Sequence, residues 1–196
     1  MRSPGRIWIV GPCGAGKSSL ARRVAEVLGA LPTHLDELLW LPGWRLRDQE
    51  ELLRLVERRV EGERWVLDGN IGSKEGRLRE LAERADFLVW LDLPLRVTLP
   101  RLLGRGLRRI VLRRTCCNGN YESLRRTFFS RESLLWYALR SDARRRRGYL
   151  RTLPDRAHVR LRSQREVERW LRDLREGARC RAPAPPPGLQ RLNRPA

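Results

Sequence analysis

The sequence predicts an α/β fold, a parallel sheet with helices on both faces and its ligand loops along the carboxyl edge. Three observations predict it. Short, nearly continuous apolar runs alternate with stretches of helical periodicity, as strands buried on both faces do. Gly11, Asp36, Asp68 and Asp92 stand at the ends of those runs, where such sheets gather ligands. Between the first apolar run and the first helical one lies Gly11-Pro12-Cys13-Gly14-Ala15-Gly16-Lys17-Ser18, a complete G-x-x-x-x-G-K-S phosphate-binding loop in the context that motif requires.

Ile7 to Val10 is the first strand, and the first helix runs from about Lys17 to Leu28, stopped by Gly29. Leu31 to Asp36 reads as a short strand or a strand end. Leu38 to Trp44 is apolar but broken by Pro42-Gly43, so it turns. From Asp48, Leu52, Leu53, Val56 and Val60 recur at helical spacing until Gly62. Trp65 to Asn70 is a third strand, Glu75 to Ala85 a helix, and Phe87 to Asp92 a fourth strand, with Asp92 read as its end and the cap of the next helix. That helix begins near Leu95. An Arg-rich segment containing Cys116-Cys117-Asn118-Gly119-Asn120 follows, then a mainly helical Ser123 to Arg147. His158 to Arg162 is a last strand. Gln164 to Glu176 is a last helix with Val167, Trp170, Leu171 and Leu174 inward. Residues 1–177 read as one domain. Residues 178–196 carry Ala182-Pro183-Ala184-Pro185-Pro186-Pro187 and read as a Pro-rich disordered tail.

The loop residues carry the first functional expectation. The backbone N–H groups of Gly11, Gly14, Ala15, Gly16, Lys17, Ser18 and Ser19 are placed to wrap an anion at a helix N-terminus. Lys17 reaches β- and γ-phosphates, and the Ser18 hydroxyl coordinates Mg²⁺. The chain is therefore expected to bind a nucleoside triphosphate. Asp68 ends a buried strand beside this loop and is the natural partner of Mg²⁺ or its waters; as a bland alternative it caps the strand end. Asp36 stands two residues after His34, on the same face if the strand continues that far. There it accepts a hydrogen bond from an acceptor hydroxyl, serves as general base, or holds Mg²⁺ through water; otherwise it is a helix N-cap before Glu37. His34 by itself reads as a packed histidine. Trp40 and Trp44 bracket Pro42-Gly43 either as an aromatic flap over the acceptor or as core anchors of an irregular loop.

His34-Leu35-Asp36-Glu37-Leu38-Leu39-Trp40-Leu41-Pro42-Gly43-Trp44, Trp65 to Asn70, Asp86 to Pro94, Asn118 to Glu122 and Leu161 to Val167 together resemble small bacterial kinases related to adenylate kinase. The likeness is greatest to the group labelled topology modulation protein, or FlaR-like, and spans about residues 6–175. It implies a P-loop nucleoside-monophosphate-kinase-like fold with a central five-stranded sheet and a mobile, Arg-rich lid at about residues 105–125. It supports the Mg²⁺ role of Asp68 through the similar Asp-Gly step. It also places Arg101 and Arg105, which share a helix face at i, i+4, along the nucleotide and lid. Eighteen arginines against four acids between residues 101 and 162 would neutralise phosphate charge in a closed site; Arg144 to Arg147 read mainly as a solvated run.

The formal net charge of +19 favours polyanionic partners. No apolar run is long enough for a membrane span or a signal-peptide core, so a cytoplasmic protein is expected. Cys13, Cys116, Cys117 and Cys180 contain no C-x-x-C pair, and the two histidines add no metal-ligand spacing; free thiols in a reducing compartment fit. The leading functional expectation is an ATP- and Mg²⁺-dependent phosphotransferase whose acceptor is a nucleotide, a nucleoside or another small hydroxyl compound. The alternative is a nucleotide-binding regulator touching DNA or RNA through its basic face, for which the sequence holds no recognised nucleic-acid motif.

Overall fold

The first strand is the middle of the sheet, and its residues explain why. In the computed structural model, which describes residues 4–71, 76–124, 134–152 and 157–179, β1 (Arg6–Val10) lies between β5 (Trp65–Asp68) and β6 (Phe87–Leu91). Adding β2 (Pro32–His34) and β9 (His158–Leu161) gives the order β2-β5-β1-β6-β9, with every pairing parallel. A central strand must be apolar on both faces. Ile7 and Ile9 pack toward α1 (Lys17–Leu28) and α7 (Gln164–Arg179), while Trp8 and Val10 pack toward α3 (Gln49–Val60) and α4 (Gly76–Glu83). The same alternation sends Trp65, Leu67, Leu88 and Trp90 to the second face and Val66, Val89 and Leu91 to the first. The parallel five-stranded sheet expected above is thus present.

Local signals set most boundaries. Asp48 caps α3 by accepting from the N–H groups of Glu50 and Glu51. Gly29, in the left-handed region at φ 62°, ends α1. Five findings differ from the sequence reading. The second strand stops at His34, and Asp36 belongs to the short helix α2 (Leu35–Leu39), whose N-cap is His34. The turn expected at Pro42-Gly43 is present, but β3 (Trp40–Leu41) and β4 (Arg45–Leu46) pair across it as a hairpin that the sequence reading did not include. A second hairpin, β7 (Thr115–Cys116) with β8 (Asn120–Tyr121), follows α5 (Leu95–Val111). Asp92 does not cap α5, whose N-cap is Pro94. Finally, α7 passes through Gly177 to Arg179, beyond the boundary read from the sequence; residues 180–196, like 125–133 of the expected long helix, lie outside the described residues. The rest of that helix is α6 (Leu134–Thr152). No helix among the described residues is long and apolar enough to cross a membrane.

Candidate active site

Residues Gly11 to Gly16 link β1 to α1 at the carboxyl edge of the sheet. The α1 N-terminus has no side-chain cap and no acid in its first turn. Its N–H groups and positive dipole end are therefore not satisfied by the helix's own side chains, which suits an anion. The loop is pinned from below by Asn70: its Oδ1 accepts from the Gly11 N–H at 3.0 Å, and its Nδ2 donates to the Gly11 carbonyl at 2.8 Å. The Tyr149 hydroxyl of α6 donates to the same Oδ1 at 3.0 Å. Lys17 folds over the loop, its Nζ 3.1 Å from the carbonyls of both Gly11 and Pro12. The ammonium is thereby held at the anion cradle rather than in the core.

Helix α5 packs directly on this loop. Gly14, at φ 81°, has room for no side chain, because a Cβ there would stand 2.3 Å from the Thr98 carbonyl oxygen. Thr98, Leu102 and Gly106 face inward on α5, which leaves Arg101 and Arg105 on the neighbouring, exposed face. A cleft of about 400 Å³ results, walled by Gly14, Ala15 and Gly16 of the loop, by Ser19 and Arg23 of α1, and by Arg101, Arg105 and Gln164. Arg23 is fixed there by paired hydrogen bonds to Glu168 at 2.7 and 2.5 Å. Arg101 only grazes Gln164, at 3.4 Å. Ser18 is exposed in the first turn of α1.

Asp68 is 3% exposed at the end of β5, in register with Ile9, and the Gly69 N–H bonds the Ile9 carbonyl at 3.1 Å. Alternation puts its carboxylate on the α1 side of the sheet. Its Oδ2 lies 3.0 Å from Nδ1 of His34. That hydrogen bond raises the His34 pKa above its ordinary value, against the opposing effect of burial. His34 is thus the partner of Asp68, not an isolated packed histidine. Asp36 is exposed on α2 and shares no strand face with His34; the shared-face reading fails because β2 ends two residues before Asp36.

Asp92 is 8% exposed and belongs to a separate ion cluster. Arg160 donates to it at 2.8 and 2.5 Å and Arg146 at 3.0 Å, while the Arg160 guanidinium also lies 4.5 Å from the Trp90 ring centroid. One member of the Arg144 to Arg147 run is therefore tied to the sheet edge, and α6 with it.

The two hairpins dock on each other, apart from the residues that line the cleft. Asn120, 3% exposed, accepts from the Trp44 N–H at 2.7 Å and donates to the carbonyls of Leu41 at 3.0 Å and Cys117 at 2.6 Å. Trp44 Nε1 donates to the Tyr121 carbonyl at 2.9 Å, and Asn118 Nδ2 to the Trp40 carbonyl at 3.2 Å. Trp40 and Trp44 meet edge to face, centroids 5.5 Å apart. Neither belongs to the buried core clusters, so they are not core anchors. Asn70 beneath the loop, Gln164 in the cleft wall and Asn120 between the hairpins have roles that sequence reasoning missed. The only signal was their presence in the Asp-Gly-Asn, Ser-Gln and Asn-Gly-Asn steps.

No protein-family model and no curated protein matches the chain. Solved structures do. A gluconokinase from Sinorhizobium meliloti 1021 aligns with a TM-score of 0.50 at 22% identity, over 92% of this chain and 94% of that one. A shikimate kinase from Acinetobacter baumannii, in complex with shikimate, aligns with a TM-score of 0.53 at 18% identity, over 86% and 89%. At such identities the likeness speaks for architecture: this chain has the fold seen in P-loop kinases.

Proposed function

We propose that the protein is an ATP-dependent phosphotransferase acting on a small acceptor, in the cytoplasm, with affinity to the topology modulation group of kinases. The observation that carries this reading is the cleft in which the phosphate loop meets Arg101, Arg105 and Arg23. Phosphoryl transfer asks the protein chiefly for positioning and for positive charge around the transferred group. The loop N–H groups and the α1 N-terminus hold the phosphates. Lys17 exchanges its two carbonyl partners for phosphate oxygens, and the α5 arginines offset charge that develops as the bond to the leaving group lengthens. Kinship with the topology modulation group is supported by the docking of the two motifs that carry it, Trp40 to Trp44 and Asn118 to Tyr121.

The donors suit Mg²⁺. A buried carboxylate and a hydroxyl are hard oxygen ligands, and Mg²⁺ normally completes its shell with water and phosphate oxygens rather than a protein cage. Asp68 and Ser18 would hold it; when bound, it neutralises phosphate charge. His34 keeps the Asp68 carboxylate oriented. The named substrates of the two fold relatives, gluconate in one enzyme's name and shikimate in the other's, bear hydroxyls. An alcohol acceptor is accordingly the reading to test first, with Asp36 on α2 as the candidate base. The test is ADP release in the presence of Mg²⁺ across small polyols and hydroxy acids, nucleosides and nucleoside monophosphates. Acceptor-dependent release lost in Lys17→Ala is expected. Release that no acceptor stimulates would overturn the proposal.

A further inference from the structure

Gly11, the first residue of the phosphate loop, sits between two strand ends, and α6 holds both of them. On one side Asn70, just past β5, clips the Gly11 N–H and carbonyl. On the other lies Leu91, the last residue of β6, so close that a Cβ on Gly11 would stand 2.6 Å from its carbonyl oxygen. Arg146 and Tyr149 are spaced i, i+3 and share one face of α6. The Tyr149 hydroxyl donates to Asn70 Oδ1 at 3.0 Å. Arg146 donates at 3.0 Å to Asp92, the residue after Leu91. The Tyr149 ring also lies beside Trp90, centroids 5.6 Å apart, so the strand that carries Leu91 orients it as well. The backbone before Asn70 is fixed by other means: the Gly69 N–H donates to the Ile9 carbonyl at 3.1 Å, and the Gly69 carbonyl accepts from Trp8 Nε1 at 2.9 Å. The Asn70 side-chain amide has no share in those bonds. Among the described residues, Gly11 and Tyr149 hold it.

We propose that α6 sets the position of the phosphate loop through these two contacts, and that Tyr149 is a positioning residue acting on Lys17 by way of Asn70 and the Gly11 carbonyl. The inference rests on the kinase reading only for its effect on turnover. The Gly11 N–H decides which end of the Asn70 amide is oxygen, and the Tyr149 hydroxyl donates to that same oxygen. The other end, Nδ2, donates to the Gly11 carbonyl, which also accepts from Lys17 Nζ at 3.1 Å. The amide plane therefore fixes the oxygen on which the ammonium rests. Removing the hydroxyl leaves Oδ1 with one donor, and the amide torsion is broad enough to turn. The Gly11 carbonyl and the resting place of Lys17 shift with it. The loop N–H groups still meet the phosphates, so nucleotide binding survives. Transfer does not, because it depends on charge placed to within about 1 Å.

Tyr149→Phe keeps the ring beside Trp90 and removes the hydroxyl alone. In the nucleotide-free full-length chain, amide hydrogen exchange at Gly11 should quicken about tenfold, roughly the worth of one hydrogen bond, while Ile9 in the middle of β1 holds its rate. Arg146→Met should quicken Gly11 as well, and the double variant should do so by less than the product of the two, because both residues act through one helix. Unchanged Gly11 exchange in Tyr149→Phe would overturn the positioning role, and fully multiplicative effects would overturn the action of α6 as a unit. With ATP and Mg²⁺, Tyr149→Phe should lower the acceptor-stimulated kcat about tenfold, leave the KM for ATP within about twofold, and add nothing in the Lys17→Ala background. A merely structural role costs the same factor in both backgrounds, and that result would overturn the route through Lys17. The exchange readout involves no turnover. A chain that shows the coupling but releases no acceptor-dependent ADP would count against the kinase reading alone.

Discussion

The phosphate loop and the paired hairpins are built by opposite means. The phosphate loop rests on the central strand, is clipped by Asn70 and abuts α5 so closely that Gly14 can carry no side chain. Its geometry comes from backbone and core. The hairpins are two pairs of two-residue strands, joined by asparagine amides and an indole N–H. They have little core of their own. Geometry written in backbone and glycine is nearly independent of surrounding sequence, which is why one motif suffices to find it. An arrangement held by side-chain amides can be re-cut residue by residue, which, on the proposed kinase reading, suits a part that selects the acceptor.

Four substitutions would break or sharpen that contrast. Lys17→Ala should cut turnover by about 10³-fold with unfolding in urea unchanged, since the ammonium bonds loop carbonyls rather than the core; a lost unfolding transition would mean that Lys17 supports the fold. Asp36→Asn should lower the rate by about 10²-fold with an alcohol acceptor, the usual worth of a general base. Nucleotide affinity, read by calorimetry, should hold, and a matching loss of affinity would move Asp36 to the donor side. Asn120→Ala strands the Trp44 N–H and two carbonyls. It should cost about 2 kcal/mol of stability in denaturant melts and raise the acceptor KM more than that for ATP; equal rises would dissolve the distinction between loop and hairpins.

The smallest effect tests the donor wall by pH. Hydrogen bonding from Arg23 holds Glu168 down at about 2, from an ordinary 4.5. A lowered folded-state pKa adds stability above the ordinary value and loses it as pH falls through the lowered one. The pair is well exposed, so Glu168→Gln should destabilise by no more than about 0.5 kcal/mol at neutral pH. The gap from wild type should shrink between pH 4.5 and 2. A gap constant over that range would assign the effect to packing.

The strands of the sheet and the phosphate loop were legible in the sequence because each is a local signal: an apolar run, a helical period, a glycine at a turn. The cleft position of Arg101 and Arg105 was legible through their spacing and the family likeness. What escaped depends on distant residues. Nothing near His34 announces that β2 ends there and that its ring meets Asp68, 34 residues on. In Cys-Cys-Asn-Gly-Asn the Asn-Gly step signals a turn, but two-residue strands carry no periodicity that would complete a hairpin reading. Asp92 read as a cap because its two partners, Arg146 and Arg160, come more than 50 residues later.

The strand order has a consequence for how the chain comes off the ribosome. β1 is made first, yet both of its neighbours come later, β5 nearly 60 residues and β6 about 80 residues downstream. Until Leu91 has emerged, Ile7 to Val10 is an apolar ribbon with at least one open edge, the kind of segment that recruits stray strands. β9 cannot close its side of the sheet until residue 161 is out. Helix α1, which follows β1 at once and packs on one of its faces, is the chain's own early cover for that ribbon.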